Sequence, residues 1–130
     1  MPAPVVKALG GKRADLGFYV RSRMEANYAR YLKWLKGLEQ IEDWSYEPQE
    51  WAFPIKRGPA RFYKTDFWIK EKTGKTYYVE VKGYMDRVSR TKLRRMAKYH
   101  PEVPIKIVGR GSYAAIRKYA SLIPGWETET

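Results

Sequence analysis

Two periodicities alternate along this chain. From Ser22 onward, Met24, Tyr28, Tyr31, Leu32 and Leu35 recur at helical spacing, and Ser22-Arg23-Met24-Glu25 has the form of a capping box. This predicts a helix that starts near Ser22 and stops at Gly37. The period then shortens. Trp44-Ser45-Tyr46 and residues 51–55 read as short strands broken by prolines, at a sheet edge. Residues 62–70 and 75–82 are stronger strands, rich in aromatic and β-branched side chains, with Thr73-Gly74 at the turn between them. A second helix is expected from Ser89 to about Tyr99, stopped by Pro101 and Pro104. Ile105-Lys106-Ile107-Val108 is a short buried strand, and a last helix should run from Ser112 to near Ile123.

The order α-β-β-β-α-β-α predicts an α/β protein with a mixed central sheet flanked by helices. The strand–helix–strand unit over 76–108 should pair in parallel through a right-handed crossover. Residues 1–17, with Lys7, Lys12 and Arg13 among small residues, read as a flexible basic arm, which leaves 18–130 as one domain.

The hairpin at 62–82 admits a sharper statement. Alternate residues of a strand share a face. Tyr63, Thr65, Phe67 and Ile69 form one row against Lys64, Asp66 and Trp68; Tyr77, Val79 and Val81 alternate with Tyr78, Glu80 and Lys82. The apolar rows coincide only when opposed residue numbers sum to an even number, so the turn centres on a residue rather than a bond, and Thr73 is the residue at the turn. Phe67 then lies opposite Val79 and Asp66 opposite Glu80, with Cβ atoms about 5 Å apart. Directly opposed like charges destabilise a sheet. A divalent cation between them removes that effect, and oxygen ligands in a chain without cysteine and with one histidine favour Mg²⁺ or Mn²⁺ over Zn²⁺. Lys82, on the same face, can polarise a water or stabilise the charge on a pentacovalent phosphate. The plainer reading is a solvated hairpin face in which Glu80 pairs with Lys64 or Lys82. Trp68 and Tyr78 on that face argue against full solvation. Glu25 completes the capping box. It could also be a third carboxylate, if its helix packs on the polar face of the sheet.

Charge extends the picture. The 26 lysines and arginines outnumber 14 acids, a net charge of +12, which points to a polyanionic partner, nucleic acid before an anionic membrane. The second helix sorts its residues accordingly. Leu93, Met96, Ala97 and His100 share one side, and Arg87, Arg90, Arg94 and Lys98 the other, with Arg95 beside them: an apolar face backed by a phosphate-contacting stripe. No apolar run approaches the ~18 residues of a membrane span. The first eleven residues lack a signal-peptide core, so an intracellular, cytoplasmic location is expected. With no cysteine, disulfides and thiolate metal sites are excluded.

These residues resemble a known pattern. Asp66 followed by Glu80-Val81-Lys82, after a helix bearing Glu25, is similar to the PD-(D/E)XK nuclease superfamily, whose restriction-endonuclease-like core has the order helix, three strands, helix, strand. Within it, Arg21-Ser22-Arg23-Met24-Glu25 with Tyr28, Trp44-Ser45-Tyr46-Glu47-Pro48, Asp66-Phe67 and Glu80-Val81-Lys82-Gly83 resemble a phage and prophage family similar to phage junction-resolving endonucleases, over residues 19–123. The resemblance implies that Asp66 and Glu80 are metal ligands, with the Val81 carbonyl joining them. It also implies that Lys82 is the catalytic lysine and that Glu25 contacts a metal or its water. Thr65 stands where the superfamily usually has proline. The expected activity is Mg²⁺-dependent hydrolysis of DNA, branched DNA such as a Holliday junction by family analogy, by a homodimer in the host cytoplasm if phage-encoded. A restriction-like, nicking or transposase-subunit nuclease is the alternative within that chemistry. A non-catalytic nucleic-acid-binding protein is the competing class.

Overall fold

A computed structural model of the chain describes residues 9–128. The protein is α/β: three helices and a mixed four-stranded central sheet, with two small hairpins. In chain order the elements are β1 (Gly11–Arg13), β2 (Phe18–Val20), α1 (Arg23–Gly37), β3 (Ile41–Tyr46), β4 (Glu50–Ala52), β5 (Phe62–Lys64), β6 (Phe67–Glu71), β7 (Thr76–Val81), α2 (Arg87–Tyr99), β8 (Ile105–Val108) and α3 (Arg110–Arg117), then a 3₁₀ turn at Ala120–Leu122. The sheet order is β3-β6-β7-β8. Its first two pairings are antiparallel and β7–β8 is parallel, as the strand–helix–strand pattern requires.

The register of β6 and β7 is the one set by matching apolar rows: Phe67 faces Val79, and the ladder runs down to Lys70 against Thr76. The turn closes with the Gly74 amide donating to the Glu71 carbonyl. Gly74 has φ +91°, a left-handed conformation open to glycine without a Cβ clash.

Phe67, Ile69, Val79 and Val81 turn one face of the sheet toward α1 and α3, where Tyr28, Ala29, Leu32 and Tyr113 complete a buried core. The opposite face is covered by Leu93, Met96 and Tyr99 of α2, together with Trp51, Phe53 and Tyr63 of the segment containing the β4–β5 hairpin. Helix α1 therefore packs on the apolar face and not on the polar one. The reason is in its own stripe: Tyr28, Ala29 and Leu32 are apolar, and burying them against polar residues would forgo about 25 cal/mol per Å² of apolar surface.

Residues 62–70 are not one strand. Tyr63 and Phe67, four residues apart, would share a face of a continuous pleat, yet they enter opposite cores. The chain breaks at Thr65-Asp66: β5 pairs with β4, and β6 joins the sheet. Thr65 is fully buried, and its hydroxyl has no hydrogen-bond partner among the described residues.

Three further expectations change. Ser22 does cap α1, its Oγ accepting the Glu25 amide at 3.0 Å, but α2 is capped by Asp86, which accepts the Ser89 amide at 2.7 Å. The last helix starts at Arg110 and ends at Arg117, short of Ile123. The described part of the basic arm is folded as the β1–β2 hairpin; residues 1–8, with Lys7, lie outside the described residues. Arg13 of β1 donates through Nε to Glu127 at 2.6 Å, and Glu127 also accepts from the buried Arg30 of α1 at 2.6 Å. Asn27 of α1 accepts the Glu127 amide and donates to its carbonyl. Asp15, in the hairpin turn, accepts from Arg30 at 2.8 Å. No helix among the described residues is long and apolar enough to cross a membrane.

Candidate active site

A cleft of about 710 Å³ opens beside the β5–β6 break. Glu25, Asp66, Glu80, Val81 and Lys82 line it, so the residues singled out in the sequence as acids and lysine share one cavity. Each arrives by a different route. Asp66 follows the strand break, one residue ahead of the ladder. Its Oδ2 accepts the Val81 amide at 2.7 Å, a bond that pins it against β7. Glu80 projects from β7 on the face opposite Val79 and Val81, and its Oε2 accepts the Tyr63 hydroxyl at 2.8 Å. Lys82 follows two residues later on the same face. Glu25 sits in the first turn of α1 and reaches the cleft from the end of that helix, although α1 covers the other face of the sheet. Its carboxylate accepts the Tyr46 hydroxyl at 2.9 Å and the Ser22 hydroxyl at 3.0 Å.

The carboxyls of Asp66 and Glu80 are buried, and both titrate above the ordinary range. For Asp66, burial is the main cause, followed by repulsion from Glu80 and Glu25; the Val81 amide and Arg21 work against it. For Glu80, burial again leads, opposed by the Tyr63 hydroxyl and by Lys82. Tyr63 and Tyr46 are pushed well above the usual phenol range, first by burial and then by the neighbouring anion, so both remain protonated donors.

Arg21 was not predicted as a site residue. Its Nη2 donates to Asp66 Oδ1 at 2.9 Å, and its guanidinium also lies 3.8 Å from both Glu25 and Glu47. Burial opposes the Arg21 charge, but these three carboxylates outweigh it. Among the described residues no three acidic or histidine side chains gather closely enough to hold a metal ion as they stand. Each acid has its own donor instead: Tyr46 and Ser22 for Glu25, Tyr63 for Glu80, and Arg21 for Asp66. The donor set itself suits a hard divalent cation, being three carboxylates with no sulfur or imidazole. Two of those carboxylates are held together against their own repulsion.

The predicted phosphate stripe divides. Arg87, Arg90, Arg94 and Lys98 are exposed along α2, none of them lining the cleft. Arg95 is half-buried and donates to the Ala60 carbonyl at 2.6 Å, which ties α2 to the loop before β5. The cleft instead takes Lys92 from α2, Arg110 from α3 and Lys64 from β5. Lys92 escaped the sequence reading because helical spacing alone places it between the two faces. Arg110 lies two residues ahead of the helix start expected at Ser112 and is the first residue of α3.

Comparison with known proteins is silent: no protein-family model and no curated protein matches the chain.

Proposed function

We propose that this protein is a divalent-metal-dependent endonuclease that hydrolyses DNA phosphodiester bonds, on a core of the PD-(D/E)XK, restriction-endonuclease-like type. The observation that carries the reading is the buried Asp66–Glu80 pair, held with raised proton affinities in an open cleft beside Lys82. Buried like charges of this kind destabilise a fold, and groups so perturbed in a cleft cluster at sites where chemistry uses them. Asp66 and Glu80 would hold Mg²⁺ or Mn²⁺, with Glu25 as the third acid and the Val81 carbonyl as a further oxygen. When bound, the cation supplies Lewis-acid charge to the phosphoryl oxygens. Lys82 would stabilise the negative charge that develops on the phosphoryl oxygens as the water oxygen bonds to phosphorus and the leaving oxygen departs. Tyr63 and Tyr46 hold Glu80 and Glu25 in orientation. The exposed arginines of α2 give sequence-independent attraction to the DNA backbone.

Branched DNA is the favoured substrate and a homodimer the favoured assembly, so that two strands are cut in one encounter; an intracellular setting follows from the substrate. The test incubates the protein with Mg²⁺ and a labelled four-way junction, a duplex and a single strand, in parallel with Asp66→Asn and Lys82→Ala. Cleavage by the wild type alone supports the reading. Binding without cleavage, in Mg²⁺ and in Mn²⁺, would replace it with the second one, a non-catalytic DNA-binding protein. The Arg21–Asp66 bond favours that second reading, because it neutralises one of the acids.

A further inference from the structure

Past Lys82 the chain enters the loop that joins β7 to α2, and its tip residue is Tyr84. This ring is 74% exposed, and neither ring nor hydroxyl has a partner among the described residues. It is also part of the cleft wall. Single exposed aromatics are common and need no explanation by themselves. The surroundings of this one are less common. Lys92 and Arg110, from two different helices, line the same cleft, and neither makes an ion pair or hydrogen bond among the described residues. Lys64, by contrast, is tied to Glu47 at 3.6 Å. An acidic floor repels a phosphodiester, so a strand that reaches Asp66 and Glu80 needs cations at the rim. Lys92 and Arg110 are cations without a direct ion pair there, Lys92 acting only through its field on the exposed Asp86 at the start of α2.

We propose that the cleft mouth is a nucleotide subsite: Tyr84 stacks on a base that has left the double helix, while Lys92 and Arg110 bind the phosphates flanking the scissile one. The proposal rests on the nucleic-acid reading above and narrows its substrate. A paired, stacked base presents its edges in a groove and its faces to its neighbours, so a phenol ring cannot lie on it. An unpaired base offers a free face, whatever its identity. Tyr84 would therefore select DNA with an unpaired nucleotide at the cut site, as in bulges, flaps and junction centres, without selecting sequence. Lys92 and Arg110 would add affinity for every substrate equally.

The experiment measures binding to the wild-type protein in EDTA, where discrimination is read independently of cleavage. The probe is 2-aminopurine, either unpaired in a one-nucleotide bulge or paired in the matched duplex. The bulged DNA should bind about tenfold more tightly, with quenched 2-aminopurine fluorescence, the scale expected for one stacked base. Tyr84→Ala should lose both the preference and the quenching; Tyr84→Trp should keep both, which separates stacking from a folding defect. Lys92→Ala and Arg110→Ala should each weaken both DNAs alike and lower the salt slope by about one. Equal wild-type affinity for the two DNAs overturns the proposal, as does a preference that survives Tyr84→Ala. If the preference depends on Tyr84 but no DNA is cut in Mg²⁺ or Mn²⁺, only the nuclease reading falls. If DNA is cut without any such preference, only the subsite falls.

Discussion

Two arginines on or beside the first helix each hold several carboxylates, and they do so in opposite ways. Arg30 is the buried partner, with its side chain 5% exposed, while Asp15 and Glu127 keep access to water. Arg21 is 53% exposed, while the carboxylates it meets, Asp66 and Glu25, are the buried partners. The proton affinities follow. Asp15 is held below the ordinary range by its hydrogen bonds to Arg30. Glu127 is also lowered, burial being outweighed by Arg13 and Arg30. Asp66 and Glu80 go the other way. The Arg30 cluster is a fastener, in which charge balance and hydrogen bonds agree. The Arg21 cluster has more buried negative charge than one half-exposed arginine can offset, and that residual demand is what a second cation could satisfy.

The contrast can be broken at several points. The largest effect should come from Glu80→Gln, which leaves Tyr63 an oxygen to donate to. Phosphodiester cleavage should fall by at least about a hundredfold, while calorimetry in EDTA shows no loss of stability, because a repelled buried charge has gone. A melting temperature that drops with activity would make Glu80 a fastener as well. Arg30→Met should do the reverse. Removing the buried member of an ion pair costs about 3 kcal/mol, at the low end of the range because Asp15 and Glu127 can hydrate, and the loss should be visible in urea unfolding with the cleft residues untouched.

Arg21→Met should lie between. It is expected to destabilise the metal-free protein by about 1 kcal/mol and to tighten Mn²⁺ binding severalfold, as followed by electron paramagnetic resonance. Weaker Mn²⁺ binding would mean that Arg21 assists a cation instead of standing in for one. The smallest effect is on pH. A carboxyl whose folded pKa is raised stabilises the fold only when protonated, so Asp66 and Glu80 favour the metal-free protein as pH falls from neutral toward the ordinary carboxylate range. Asp15 and Glu127, with lowered pKa values, contribute stability above that range and lose it only in stronger acid. Between pH 8 and 6 the melting temperature in EDTA should therefore rise, by less in Glu80→Gln, and saturating Mg²⁺ should flatten the slope.

The sheet hairpin and the acids and lysine of the cleft could be seen in the chain before folding, the two arginine clusters could not, and the difference has definable causes. The β6–β7 register followed from parity together with a turn placed on Thr73, because one face of a buried hairpin must be apolar. Parity then failed at Tyr63, since it presumes an unbroken pleat and the chain breaks at Thr65-Asp66. The same break explains why the polar face of the sheet is roofed: β5, freed from the sheet, carries Tyr63 over Glu80. Helix α1 reached the cleft by its end and not by its face, a difference that a helical wheel cannot register. Arg21 had no periodicity to betray it, lying just before the cap. The Arg30 cluster was out of reach altogether, since its members come from opposite ends of the described chain.

That last separation bears on the order in which the molecule can be made. Glu127 follows Arg13 by 114 positions and Arg30 by 97. During synthesis α1 can form and meet the sheet early, but its buried arginine keeps one carboxylate vacancy until the far segment emerges. Long-range closures of this kind slow folding. Shortening the chain before Glu127 would therefore undo the fastener at Arg13, Asn27 and Arg30 in one step and leave Arg30 buried with Asp15 as its remaining carboxylate.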